Sequence, residues 1–295
     1  MKIVKKIINK SYSQLKSILN KNKFQKALID KVPLAFHDVA KFSYQKKLRS
    51  DDKSLGQLVE SFRQKIVSDH QGKKIETLGS PHSKSELFDE KGKIKPGDYG
   101  PRPAEGVART GTAIFGGLQL KKIVESIGGG RVIELGTNTG LSGCYFLSSN
   151  MPVELVTIEG SEKLCKIAEK NLINISNNFQ VLNQMFDDAL SDLINKKEEF
   201  DIGFVDGQHE KKATLFYARE LKKIVKPGGI IIFDDIYWSE DMNNGWNDLI
   251  KDKDFSATID LGNRGICVLD KEEETKKHFC LGDYIGNPLI YRSGW

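Results

Sequence analysis

Two glycines, three small polar residues and one downstream carboxylate form the first chemically suggestive set in the chain. Gly136-Thr-Asn-Thr-Gly140 follows the apolar run Val132–Leu135, and Glu159 stands 24 residues past Leu135. Glycines at a strand-to-helix turn let the backbone bend tightly, and the N–H groups at the start of that helix face whatever ligand lies beyond. An acidic residue at the end of the next strand can hydrogen-bond both hydroxyls of a ribose. The spacing departs from G-x-G-x-x-G, so an adenosine ligand without a pyrophosphate fits it better than a dinucleotide. Glu159 also has a plainer reading, as a carboxylate at a helix N-terminus, because Gly160-Ser161 begins a helix there.

Such a set needs strands that end together. From Thr112 onward, strand candidates at 131–135, Glu154–Ile158, Gln180–Asn183, Asp201–Val205, Gly229–Phe233, Ser256–Asp260 and Gly265–Leu269 alternate with helical segments. The clearest helices are Glu162–Ile175 and Lys211–Val225, with Pro227-Gly-Gly229 expected to stop the second. Alternation of this kind predicts an α/β fold, a doubly wound, mostly parallel seven-stranded sheet covered by helices. The last two strands are joined only by Leu261–Arg264, too short for a crossover, so the last strand is expected to be antiparallel.

Ahead of this unit, residues 1–75 carry 18 Lys and Arg against 6 Asp and Glu, while the whole chain is only +5. Apolar positions at near-helical spacing predict a basic helical extension there, with a helix near Ser54–Val67 capped by Ser54. Residues 76–110, rich in Gly, Pro and Lys, read as a linker or lid loop, and 111–295 as the catalytic domain. The excess is almost all lysine with little aromatic interleaving, which argues for a solvated face and against nucleic acid. The N-terminal helices leave a homo-oligomer open. Four cysteines, Cys144, Cys165, Cys267 and Cys280, show no metal-ligand spacing, and no apolar run approaches the roughly 18 residues that span a bilayer. A cytoplasmic protein is expected.

Val132-Ile-Glu-Leu-Gly-Thr-Asn-Thr-Gly140, Thr157-Ile-Glu159, Phe204-Val-Asp206 and Pro227-Gly-Gly-Ile-Ile-Ile-Phe-Asp-Asp235, in that order, resemble the motifs of class I S-adenosylmethionine-dependent methyltransferases. The resemblance covers about residues 105–270 and implies a Rossmann-like fold. It places Glu134, Gly136, Thr137, Asn138 and Gly140 at the cofactor turn, the first two beside the methionine. It also places Glu159 at the ribose, and Phe186 with Asp187 near the adenine. Asp206, at a strand end, would point at the methionine ammonium.

Within that family the chain is most similar to small-molecule O-methyltransferases of the catechol, caffeoyl-CoA and macrolide-sugar type, through Asp206-Gly-Gln-His209 and Asp234-Asp235. Asp206, Asp234 and Asp235 lie at the carboxyl ends of neighbouring strands and can converge on one hard divalent cation, with Mg²⁺ the natural candidate. Such an ion binds a substrate hydroxyl and lowers its pKa. His209 stands where the resemblance puts the general base. The plainer readings are helix and turn caps for the carboxylates and a structural histidine. The loop from Ile236 to Trp246 brings Tyr237, Trp238, Met242 and Trp246, either an acceptor wall or packing for the next helix. Arg109, just ahead of the first helix of the domain, is placed to meet a carboxylate of cofactor or substrate. The expected activity is methyl transfer to a hydroxyl of a small molecule. The alternatives are a metal-independent N- or C-methyltransferase and a cofactor-binding protein without catalysis.

Overall fold

The computed structural model describes residues 20–78, 99–270 and 276–285. Of the regions expected from sequence, residues 1–19 of the extension and the centre of the linker, 79–98, lie outside these.

The domain is one eight-stranded sheet with helices on both faces. In chain order the strands are β3 (Gly130–Leu135), β4 (Val153–Ile158), β5 (Phe179–Leu182), β6 (Phe200–Val205), β7 (Val225–Phe233), β8 (Phe255–Asp260), β9 (Gly265–Leu269) and β10 (Lys277–Cys280). In space the order is β10-β8-β9-β7-β6-β3-β4-β5. Only β9 runs antiparallel to its neighbours, β7 and β8. The seven strands expected are all present. The eighth, β10, adds a parallel edge beside β8; it is four residues long and fully buries only Phe279, too faint a pattern to read in advance.

Successive strand residues face opposite layers, as the two-residue strand repeat requires. Val132, Leu155, Ile202, Phe204, Ile230 and Ile232 pack with Leu118, Phe146 and Leu172 on one side. On the other, Ile133, Val156, Ile158, Val205, Ile231 and Phe233 meet Leu190, Tyr217 and Leu249. Each fully buried side chain of this size contributes about 2 kcal/mol relative to exposure. The buried helices between strands are α4 (Ile114–Ser126), α5 (Leu141–Leu147), α6 (Glu162–Leu172), α7 (Phe186–Asn195), α8 (Lys211–Leu221) and α9 (Glu240–Lys251). The helix α8 stops at Leu221, and Pro227-Gly-Gly229 falls inside β7, with Gly228 at φ +82°, rather than at the helix end.

The extension contributes helical residues 20–31, α1 (His37–Gln45) and α2 (Ser50–Asp69). The start of α2 precedes Ser54: Arg49 occupies the cap position, its N–H held 3.1 Å from the Asp52 carboxylate. An acidic residue in the first turn also suits the helix dipole. At its described ends the stretch read as linker forms β1 (Lys74–Leu78) and β2 (Tyr99–Pro103), an antiparallel pair, followed by α3 (Ala104–Thr110). No helix among the described residues is long and apolar enough to cross a membrane.

Candidate active site

The crevice opens where β3 separates β4 from β6, beyond the carboxyl ends of the strands. This is the place at which an open α/β sheet leaves room for a ligand. Gly136 leaves β3 at φ +108°, and a Cβ there would sit 2.1 Å from the Asp206 carbonyl oxygen. Glycine is therefore obligatory. Gly140, at φ +78°, caps α5. Three of the five non-glycine residues with positive φ among those described, Asn138, Gln208 and Asp235, lie in the turns leaving β3, β6 and β7. Left-handed backbone costs roughly 1 kcal/mol or more per non-glycine residue, and such conformations collect at ligand sites.

Glu159 ends β4 and reaches back across the turn. One carboxylate oxygen accepts the Asn138 N–H at 3.0 Å and the other the Ser161 N–H at 2.9 Å. The cap of α6 is Ser161, whose hydroxyl accepts the Leu164 N–H, and Glu159 sits beside that helix start, accepting the Ser161 N–H. Burial pushes the Glu159 carboxyl up, against the pull of those backbone N–H groups. Glu134 lies deeper, fully buried. It accepts the Ser142 hydroxyl and, at 2.6 Å, the Thr157 hydroxyl, which is also 2.5 Å from Thr137 Oγ1. Its burial pushes the carboxyl up to about 7, with the hydroxyl bonds opposing.

Asn138 Oδ1 and Thr139 Oγ1 are buried without a hydrogen-bond partner. A buried polar atom left unpaired costs about 1–3 kcal/mol. On the far wall, the Phe186 ring lies 2.9 Å from where a Gly207 Cβ would stand and meets Tyr217 edge-on at 5.7 Å. Asp187 lies in the first turn of α7 beside it.

Across the crevice, the expected catalytic residues come together in part. His209 Nε2 is 3.7 Å from Asp206 Oδ1 and 3.6 Å from Asp235 Oδ2, and ligand atoms of the three lie within 4.8 Å of one another. Burial, then the charges of Asp234 and Asp235, hold the Asp206 carboxyl well above the usual range. Asp234, however, is not one of the three, although its charge acts on Asp206. Its Oδ2 pairs with Arg264 at 2.7 Å, and its Oδ1 accepts the Asp235 N–H at 2.9 Å. Asn263 reaches Asp235 Oδ1 at 2.5 Å. Neither Arg264 nor Asn263 figured among the expected site residues; both lie in the short connection whose tightness had marked the hairpin.

The aromatic loop divides. Trp238 lies beside His209, ring centres 5.6 Å apart. Tyr237 donates its hydroxyl to Asp260 Oδ2 at 2.5 Å. Met242 and Trp246 are buried in the core under α9, Trp246 against Gly265, and neither forms a crevice wall. Helical spacing from Ser239 accounts for that inward placement. Arg109 is exposed at the end of α3 and lines a cavity of about 730 Å³ with Glu60, Arg63, Val67 and Phe115.

A family model described as a methyltransferase domain matches residues 133–236. Tapetum-specific methyltransferase 1 of Arabidopsis thaliana is 28% identical over 143 residues, which are 45% of this chain and 58% of that protein. The chain thus spans little more than half the length of this curated relative. An O-methyltransferase from Bacillus cereus in complex with S-adenosylhomocysteine is 22% identical, with a TM-score of 0.48 over 56% of this chain and 86% of that one. The O-methyltransferase TomG from Streptomyces achromogenes is 17% identical, with a TM-score of 0.43 over 55% and 82%. Residues 133–236 thus match a methyltransferase domain model, and they lie within a Rossmann-like sheet in which β9 runs antiparallel to otherwise parallel strands.

Proposed function

We propose that the chain transfers a methyl group from S-adenosylmethionine to a hydroxyl of a small molecule. The observation that carries this reading is the pairing across one crevice of a strained, partly unsatisfied cofactor turn with a histidine set between two carboxylates. Gly136, Thr137, Asn138 and Gly140 would hold the methionine end of the cofactor, with Glu134 beneath them and Glu159 at the ribose. Phe186 and Asp187 would flank the adenine. Asp206 would serve the methionine ammonium.

His209 is the general base of this reading. Its Nε2 would take the acceptor proton, and Asp206 and Asp235, each under 4 Å away, would hold the resulting imidazolium. Trp238 would lie against an apolar acceptor at the same place, while Tyr237, its hydroxyl committed to Asp260, braces the loop. Arg109 would meet an anionic group on an acceptor reaching out of the crevice. Much of the rate would come from holding methyl and oxygen in line.

Asp206 and Asp235 fit a divalent ion, Mg²⁺ in this reading, since hard carboxylate oxygens converge there. When bound, it would lower the pKa of the acceptor hydroxyl. We place the protein in the cytoplasm, a reading supported by its free cysteines. Contact between copies through the N-terminal helices is supported by the exposed side chains of Ile29 and Leu34.

Calorimetric titration with S-adenosylhomocysteine, followed by radiolabelled methyl transfer across a panel of catechols and phenols, tests the reading. Binding by the wild type and its loss in Glu159→Leu are expected. A wild type that takes up no S-adenosylhomocysteine ends the proposal.

A further inference from the structure

Asp234 is the residue whose place least suits the role that the order of the motifs gave it. Its carboxylate and the Arg264 guanidinium are both almost wholly buried, each about 5% exposed, and they meet at 2.7 Å. Arg264 is not a surface side chain that has swung in. Its Nη1 donates to the Gly116 carbonyl at 2.6 Å and reaches Gln119 Oε1 at 3.4 Å, its Nη2 reaches Thr112 Oγ1 at 3.4 Å, and its Cζ lies 5.9 Å from the centre of the Phe204 ring. The neighbours make room for it. A Cβ on Gly116 would lie 2.8 Å from Arg264 Nη1, so a glycine there allows the approach. Gln119 is fixed in turn by Ser43 of α1, 2.7 Å away, and by the Leu261 carbonyl.

A carboxylate held this way has little left for a metal. One oxygen carries the guanidinium and the other the Asp235 N–H. Freeing it would strand a buried guanidinium without its counter-charge, which is strongly unfavourable where one partner of a buried pair is removed.

Resting on the metal-assisted reading above, we propose that Arg264 is a built-in counter-ion that withholds Asp234 from the metal. A divalent ion is then held by Asp206 and Asp235 alone among the three carboxylates. Asp234 is a positioning residue: through Arg264 it ties the end of β7 to Thr112 and to Gly116 and Gln119 of α4.

The experiment is Mn²⁺ uptake by the full chain, followed by electron paramagnetic resonance, with S-adenosylhomocysteine affinity measured on the same samples. Removing one charge near a divalent ion weakens it through space, so the decisive variant neutralises both members of the pair. Asp234→Asn combined with Arg264→Gln is expected to keep the Mn²⁺ dissociation constant within threefold of wild type, whereas Asp235→Asn raises it tenfold or more. A loss beyond threefold in the double variant, or a smaller loss in Asp235→Asn, overturns the proposal. So does a wild type that binds S-adenosylhomocysteine but takes up no Mn²⁺, a result that leaves the methyltransferase reading standing. Should the double variant fail to fold, the wild type suffices. Its Arg264 guanidinium resonance, assigned by its absence from Arg264→Lys, is expected to stay in place as Mg²⁺ is added. Its displacement or loss would show Asp234 released to the ion and overturn the proposal.

Discussion

Thr110 Oγ1 accepts the side-chain amide of Asn138 at 3.1 Å, a bond that joins the last residue of α3 to the strained residue of the glycine turn after β3. Arg63 of α2 grips the same stretch of backbone, donating to the Ala108, Gly111 and Thr112 carbonyls. The helical extension is thereby coupled to the turn by direct polar contacts. Replacing Thr110 with valine keeps the volume and removes the acceptor. A bond of this kind contributes about 1 kcal/mol, so S-adenosylhomocysteine affinity should fall about fivefold by calorimetry, with little change in Tm. Unchanged affinity would mean that α3 is a bystander.

Gly136 gives a sharper test of the turn. With φ at +108° and the Asp206 carbonyl oxygen 2.1 Å from the missing Cβ, Gly136→Ala must move either β3 or the Asp206 backbone. Destabilisation of about 2 kcal/mol or more and loss of S-adenosylhomocysteine binding are expected from chemical denaturation and calorimetry. A variant as stable as wild type would show that the turn has a second conformation.

The buried Glu134 sets a pH dependence. Its carboxyl is raised from 4.5 to about 7 by burial, so the folded chain holds this proton more tightly than the unfolded chain does. The corresponding stability is present below pH 4.5, declines as pH rises toward 7, and is gone above it; the difference is on the order of 3 kcal/mol. Glu134→Gln, neutral throughout, should lack that component. Denaturation midpoints from pH 5 to 8 would therefore slope less in the variant than in the wild type, and parallel slopes would contradict the assignment.

His209→Gln separates chemistry from binding. The side chain keeps a polar end but cannot take up a proton near neutral pH. With an acceptor found in the phenol panel, the methyl-transfer rate should drop about 10²-fold or more, with S-adenosylhomocysteine affinity within twofold of wild type. A comparable rate would return His209 to a structural role beside Trp238.

The sequence by itself determined the sheet, its winding and the side on which the crevice opens. Those follow from local regularities: two-residue alternation in the strands, apolar stripes in the helices and a four-residue link that forces β8 and β9 into a hairpin. It determined the glycine turn after β3 as well, because Gly136 and Gly140 answer a backbone demand that is local to the chain. Tertiary structure decided which carboxylates share one point in space. Asp206 and Asp235 approach His209, while adjacent Asp234 pairs with Arg264, because neighbouring residues leaving a strand diverge and a buried cation waits on one side only. Arg264 is 30 positions from Asp234, and its other partners, Gly116 and Gln119, are 148 and 145 away. No spacing rule joins residues so distant; the packing of α4 against the β8–β9 turn does.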